Sequence, residues 1–416
     1  MPRLYRHVCV TIVMAFVALG LRPALAADDT IKIAYIDPFS GPFASGGDEF
    51  LKVFAFILQK VNADGGALGK KFEIVPFDDK LQPAEALIAL KSATDQNIPF
   101  VMSCTGSNVG AALLDGVSKY NARNPDHRVL YLNCGALATE LTNEQCDFWQ
   151  FRFTGNVEMR AVARIKALPK DVTKVYLLNQ DYLFGQSIQR DTRKWLAKLR
   201  PDVQVVGDEL MPFGKVQDFS PYIEKIKASG AQAVITGNYN RDLNLLIKSA
   251  VDNGLNVRFD TYLAHLIGGP TAIGAAGQDR LSSVTEFHPN VPVELNKPEA
   301  EALTTAWRAN HDTDFSEVPF LTMFQMLARA INEAGSTDPL KVAHALEGMK
   351  AVDLVGFPVE MRKDDHQLLM PYYAATFTKP VKYDAEKTGL GWKTDFIAST
   401  EDLTLPTTCK MKRPSS

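Results

Sequence analysis

From residue 31 onward the chain alternates short apolar runs with amphipathic ones, and no other feature limits its fold as tightly. The first series reads strand "IKIAYI" (31–36), helix 48–62, strand "FEIVPF" (72–77), helix 83–96, strand "PFVMSC" (99–104), helix 108–120 and strand "RVLYLNC" (128–134). Phe50, Val53, Phe54, Ile57, Leu58 and Val61 recur at helical spacing in the first of these helices. A second series starts after Gly155: helix 157–167, strand 174–179, helix 185–199, strand 203–210, helix 219–228, strand 231–237 and helix 241–253. Strands separated by helices pair in parallel, and the helices then cover both faces of the sheet. The expected fold is therefore α/β, with two doubly wound parallel-sheet lobes. Helices at 298–311, 318–334 and 340–350 follow, then a β-rich stretch ("VGFPVEM", "PYYAATFTK") and a polar tail from about residue 386, expected to be irregular.

In such sheets ligands bind beyond the carboxyl ends of the strands, where helix N-termini point. Here those ends are 37–48, 104–108, 134–139, 179–185, 237–241 and 262–269. The stretch "DGGALGKK" (64–71) invites comparison with a phosphate-binding loop. The glycine such a loop needs first is Asp64, its closing Ser or Thr is Lys71, and the order is helix, loop, strand, the reverse of the required one. Its glycines end a helix instead. No G-x-S-x-G or H-E-x-x-H occurs, and the cysteine spacings fit no zinc motif. Ser107 and His265 would offer a nucleophile and a base but lack a third partner. The chain is expected to be no enzyme and to need no metal or cofactor.

At the N-terminus Arg3, Arg6 and His7 precede an apolar run at 8–21, followed by Ala24-Leu25-Ala26. This pattern predicts a signal peptide over residues 1–26, too short to span a bilayer and cleaved to leave a protein that works outside the cytoplasm, with no membrane-spanning segment. Losing Arg3, Arg6 and Arg22 with it takes the formal net charge from −3 to −6. That mildly acidic balance, without a basic block, argues against nucleic acid as a partner.

The order of elements, the leader and the stretches "IKIAYIDPFSGPFASGGDE", "NADGGALGKKFEIVPFDD", "ATELTNEQCDFWQFR" and "YLFGQSIQ" resemble the periplasmic solute-binding proteins of the branched-chain amino acid type, which serve ABC importers. The resemblance covers nearly the whole mature chain. It implies two lobes joined by three crossings that close over a small molecule, read by a membrane permease. The implied lobes are 27–155 with 287–365, and 156–286 with 366–385, leaving 386–416 as a C-terminal tail. A monomer is expected.

The resemblance also implies a ligand set. Ser107 in "CTGSN", beside Thr105, matches a serine that holds a ligand carboxylate, at a helix start where N–H groups favour an anion. The plain alternative is a helix N-cap. Gly135, next to Ala136, matches a position offering backbone groups to the same carboxylate. Phe184, Tyr239 and Phe320 match aromatic wall positions. Where amino-acid binders place a threonine on the ligand amine this chain has Leu137, and where they place a carboxylate it has His265. With that ammonium half missing, the expected ligand is a small organic acid, an aromatic carboxylate such as a benzoate or cinnamate derivative. A branched-chain or other amino acid is the alternative, with Asp181 or Asp242 reaching the amine. A sensor feeding a receptor is another. Among the mature cysteines, Cys146 lies just before the first passage between the two series and Cys409 lies in a tail that needs an anchor, so a Cys146–Cys409 disulfide is expected. Cys104 and Cys134 end neighbouring strands and are left as either a pair or two thiols.

Overall fold

The computed structural model describes residues 30–41 and 43–414, apart from the Ser45 side chain, so the leader expected at 1–26 lies outside the described residues. Five parallel strands form the first sheet: β1 (Thr30–Asp37), β2 (Lys71–Asp78), β3 (Phe100–Ser103), β4 (Leu130–Asn133) and β5 (Gln150–Arg152), in the order β2-β1-β3-β4-β5. The second sheet holds β6 (Lys174–Gln180), β7 (Gln204–Met211), β8 (Ala233–Thr236), β9 (Arg258–Thr261) and β10 (Leu281–Thr285), all parallel. A small antiparallel sheet of β11 (Lys350–Val352), β12 (Pro358–Met361) and β13 (Leu368–Leu369) leads to β14 (Tyr372–Thr378) and β15 (Gly391–Ala398). These last two extend the second sheet antiparallel, giving the order β15-β14-β10-β9-β8-β6-β7. All four residues of β3, of β4 and of β8 are buried, as expected of strands covered on both faces.

The helices after β10 return to the first sheet. Helix Val318–Ala334 lies on helix Ala44–Ala63, with the Phe54 ring 5.2 Å from Phe320 and 5.8 Å from Phe324. Trp307, from helix Pro298–Arg308, meets Phe56 edge-on at 5.3 Å. The chain thus passes between the sheets near residues 152–157, 285–291 and 367–372, and hydrogen bonds tie these passages together. Arg152 Nε donates to Gln367 Oε1 (2.9 Å), and Gln367 Nε2 donates to the Thr154 carbonyl (2.7 Å). Tyr372 Oη accepts the Gly155 N–H (2.8 Å) and donates to Glu286 Oε1 (2.6 Å).

Three features differ from the sequence reading. Helix Ala44–Ala63 begins four residues earlier than the expected start at 48. Strand β5 has three residues, too few to register as a periodic run. The segment 386–416, expected to be irregular, supplies β15, whose outer positions are partly exposed because it closes the edge of the sheet. Beyond it the tail is held by a Cys146–Cys409 disulfide with Cα atoms 5.7 Å apart. Cys104 and Cys134, side by side at the ends of β3 and β4, also form a disulfide, at 4.4 Å.

Candidate functional site

The carboxyl ends of both sheets converge on one cavity of about 720 Å³. On the first-sheet side, the β3 end turns through Gly106, whose φ of 76° is in the left-handed region, into helix Ser107–Arg123. Ser107 is buried, and its Oγ accepts the Ala138 N–H at 3.1 Å, leaving the hydroxyl proton to donate. Gly135 passes so close to β3 that a Cβ there would lie 1.7 Å from the Cys104 carbonyl oxygen. The Cys104–Cys134 disulfide forms part of this wall. Behind it Asp37 Oδ2 accepts the Cys104 N–H at 3.0 Å. Burial, reinforced by Asp79, pushes the Asp37 carboxyl up to about 8.

The opposite wall is aromatic. Phe184, in the helix after β6, and Tyr239, just before helix Asn240–Asp252, approach edge-on at 6.3 Å. Tyr182 Oη donates to Tyr239 Oη (3.3 Å), and its ring stacks on Phe213 at 4.6 Å. Phe213 in turn stacks on Phe43 from the first-sheet side at 5.3 Å, so aromatic rings bridge the two sides.

The sequence-predicted residues Thr105, Ser107, Gly135, Leu137, Phe184, Tyr239, His265 and Phe320 all line this cavity. Ala136 does not. Its N–H is bound to Asn133 Oδ1 (2.9 Å), and its carbonyl accepts from Arg152 (2.9 Å) and Asn133 (3.1 Å), so its backbone groups serve the wall rather than the space. Asp181 and Asp242, considered as partners for an amine, do not line it either. Asp242 Oδ2 is held by Gln180 (2.8 Å) and the Gly214 N–H (2.9 Å), and Asp181 accepts from Gln186 (2.9 Å).

The sequence reading offered Asp181 and Asp242 as acids that could reach a ligand amine; the acids that line the cavity instead include Glu286 and Glu317. Glu286, at the carboxyl end of β10, and Glu317, just before helix Val318–Ala334, both face the cavity, with Arg160 between the passages. Glu286 Oε1 accepts from Thr154 (2.5 Å), Tyr372 and Arg160; the Arg160 guanidinium holds this buried carboxyl below its usual range against the opposing effect of burial. Glu317 makes no salt bridge among the described residues, and the Arg160 charge lowers it only as a minor effect. Its one hydrogen bond within the wall comes from Ser316 (3.0 Å), and burial, then the Glu286 charge, push it up to about 7. His265 is buried, with Nδ1 bonded to Ser283 Oγ (2.9 Å), and burial pushes it down to about 3, so it meets a ligand as neutral imidazole. The signal that pointed to Glu286 was present: an acid directly after the buried run "LSSVT", at a strand's carboxyl end.

The sequence profile of the family described as "Periplasmic binding protein" matches residues 30–382. "Leu/Ile/Val-binding protein homolog 4" of Brucella melitensis biotype 1 is 30% identical over 413 residues, covering 96% of this chain and 97% of that protein. "Leucine-, isoleucine-, valine-, threonine-, and alanine-binding protein" of Pseudomonas aeruginosa is 27% identical over 344 residues, 80% of this chain and 86% of its own length. The closed structure of a protein of that same name from Brucella ovis superposes with a TM-score of 0.83 at 30% identity, covering 92% of this chain and all of that one. A solute-binding protein from R. palustris, in complex with 4-hydroxybenzoate, superposes with a TM-score of 0.75 at 20% identity, covering 89% and 97%, a likeness of fold alone. The chain belongs to the periplasmic binding protein family, as a non-enzymatic, substrate-binding component of an ABC transporter.

Proposed function

We propose that this protein closes around a small amino acid with an apolar side chain and presents it to the permease of an importer. One observation carries this reading: the cavity is lined both by groups that suit an anion and by acids that suit a cation. The Ser107 hydroxyl and the start of its helix suit a carboxylate. Glu317 is a carboxylate in no salt bridge among the described residues, near a Glu286–Arg160 pair that is neutral as a unit. A ligand with only a carboxylate would find no opposite charge in Glu317. An ammonium group matches it. The names of the Brucella and Pseudomonas relatives agree with an aliphatic amino acid.

The lobes proposed for closure are 30–155 with 287–365, and 156–286 with 366–385 and the added strand β15. The ligand residues proposed are Thr105, Ser107, Gly135, Leu137, Phe184, Tyr239, His265 and Phe320, joined by Glu286 and Glu317. Export through a cleaved leader and action as a monomer belong to the same proposal. An aromatic carboxylate is the second reading, favoured by the Phe184, Tyr239 and Phe320 walls, which suit a ring. Titration calorimetry of the mature protein with leucine, isoleucine, valine, phenylalanine, benzoate and 4-hydroxycinnamate separates the two. Micromolar binding of an amino acid is the expected result. Binding of the aromatic acids alone would replace it with the second reading.

A further inference from the structure

The two disulfides sit in unlike places. Cys146 and Cys409 fasten the C-terminal tail and do not line the cavity, whereas Cys104 and Cys134 form part of its wall. Cys104 and Cys134 follow the ends of β3 and β4, which pair in parallel with Ser103 opposite Asn133, and the Cys134 N–H donates to the Ser103 carbonyl at 3.0 Å. Each half of the bridge runs straight into cavity-lining residues: Thr105 and Ser107 follow Cys104, and Gly135 and Leu137 follow Cys134. The wall has no slack there. A Cβ on Gly135 would come within 2.9 Å of the Cys104 Cα as well as striking its carbonyl, and the Cys104 N–H is held by Asp37. Both cysteines are nearly buried, at 6% and 4% exposure.

We propose that Cys104–Cys134 is a redox-modifiable bridge, cleaved by a dithiol reductant that enters through the ligand cavity, and that its cleavage weakens ligand binding. The inference rests on the reading of this cavity as the ligand site and holds for an amino acid or an aromatic acid alike. In cleavage a reductant thiolate attacks one of the two sulfurs, and the S–S bond breaks with its electron pair leaving on the other sulfur as a thiolate. The second reductant thiol then displaces the first protein sulfur and closes the reductant's own disulfide. The protein gains two electrons and two protons, and the dithiol loses them. Two thiols need non-bonded room where a covalent bond stood, in a wall too closely packed to give it, so the turns that carry Ser107 and Gly135 are pushed apart. A bound ligand acts in the opposite direction. It covers the sulfurs, and by linkage it favours the bridged state by the same factor by which cleavage weakens its own binding.

The test exposes the mature protein to dithiothreitol with and without saturating leucine or 4-hydroxycinnamate, then alkylates it and reads each bridge by peptide mass spectrometry. Whichever acid binds is expected to slow reduction of Cys104–Cys134 about tenfold or more and to leave Cys146–Cys409 unchanged. In calorimetry the double variant Cys104→Ser/Cys134→Ser is expected to bind that acid about tenfold or more weakly, while Cys409→Ser binds it as wild type does. No slowing at Cys104–Cys134, or equal slowing at both bridges, means that the ligand does not shield this bridge. Full affinity in the double variant means that the bridge does not serve the site. Each of these results overturns the inference and leaves the proposed function standing. If none of the acids titrated above binds, the proposed function and this inference fall together. If the double variant does not fold, the affinity of Cys409→Ser before and after reduction decides: a loss supports the inference and an unchanged value overturns it.

Discussion

Buried ionisable side chains behind the binding wall set how stability responds to pH. Asp37 is fully buried, with one oxygen on the Cys104 N–H, and burial raises its carboxyl to about 8; Asp79 beside it is raised to about 7. A carboxyl raised in the folded state holds its proton there and releases it on unfolding. Its contribution is present at low pH and is lost as pH climbs from about 4 through the folded values. The buried His265, His288 and His366, lowered to about 3, 3 and 4, act oppositely, costing stability only as pH falls below about 6.5. Between pH 6.5 and 8 the carboxyls therefore dominate. Denaturant unfolding should lose about 1.4 kcal/mol per pH unit for each titrating group, and Asp37→Asn should flatten that slope. An unchanged slope in the variant would remove Asp37 as the source. Gly135 acts through shape. An added Cβ would press on the Cys104 carbonyl at 1.7 Å, so Gly135→Ala should destabilise by about 1–3 kcal/mol and weaken leucine binding at least tenfold. Wild-type affinity in Gly135→Ala would mean that this part of the wall does not touch the ligand.

Among the elements, the C-terminal strand is the one whose place depends most on covalent help. Among the described residues strand β15 pairs only with β14, and the chain after it runs without regular structure to Cys409. Thr407 and Thr408 hydrogen-bond to the 142–144 turn next to Cys146, so the disulfide and these bonds form one attachment. The bridge closes a segment of 263 residues, a large restriction on the unfolded chain. Cys409→Ser should cost about 2–5 kcal/mol and expose the last residues to proteolysis first. Limited digestion followed by mass spectrometry reads this directly. Equal protection of the tail in wild type and variant would show that the threonine contacts suffice.

For the whole molecule, the binding cavity and the connection between the sheets share atoms. Glu286 faces the cavity and also accepts from Tyr372 and Thr154, which lie on two of the passages. Under the closure proposed above, a ligand that touches Glu286 would act on groups that hold two of the passages together. Tyr372→Phe removes the acceptor of the Gly155 N–H and a donor to Glu286, at a cost of about 1–3 kcal/mol. Small-angle scattering should find leucine reducing the radius of gyration of the wild type. Tyr372→Phe should be more open without ligand and require more leucine to close. Identical scattering curves for the two proteins would place the closure determinants elsewhere.

The amino-acid order alone determined the alternation of strands and helices, and with it the parallel sheets and the loops beyond their carboxyl ends where Ser107, Gly135, Phe184, Tyr239 and His265 lie. Periodicity is local, so it is legible one element at a time. The edge strand β15 was not legible, because a half-exposed strand in a polar stretch acquires its partner only when β14 is already in place. Nor was the acidic floor of the cavity. Arg160 and Glu286 meet across 126 positions of sequence, and whether a given acid ends up in an ion pair, like Glu286, or in no salt bridge among the described residues, like Glu317, depends on which charges packing brings within a few ångströms. That is a property of three-dimensional distance and of water exclusion, which a linear pattern does not contain.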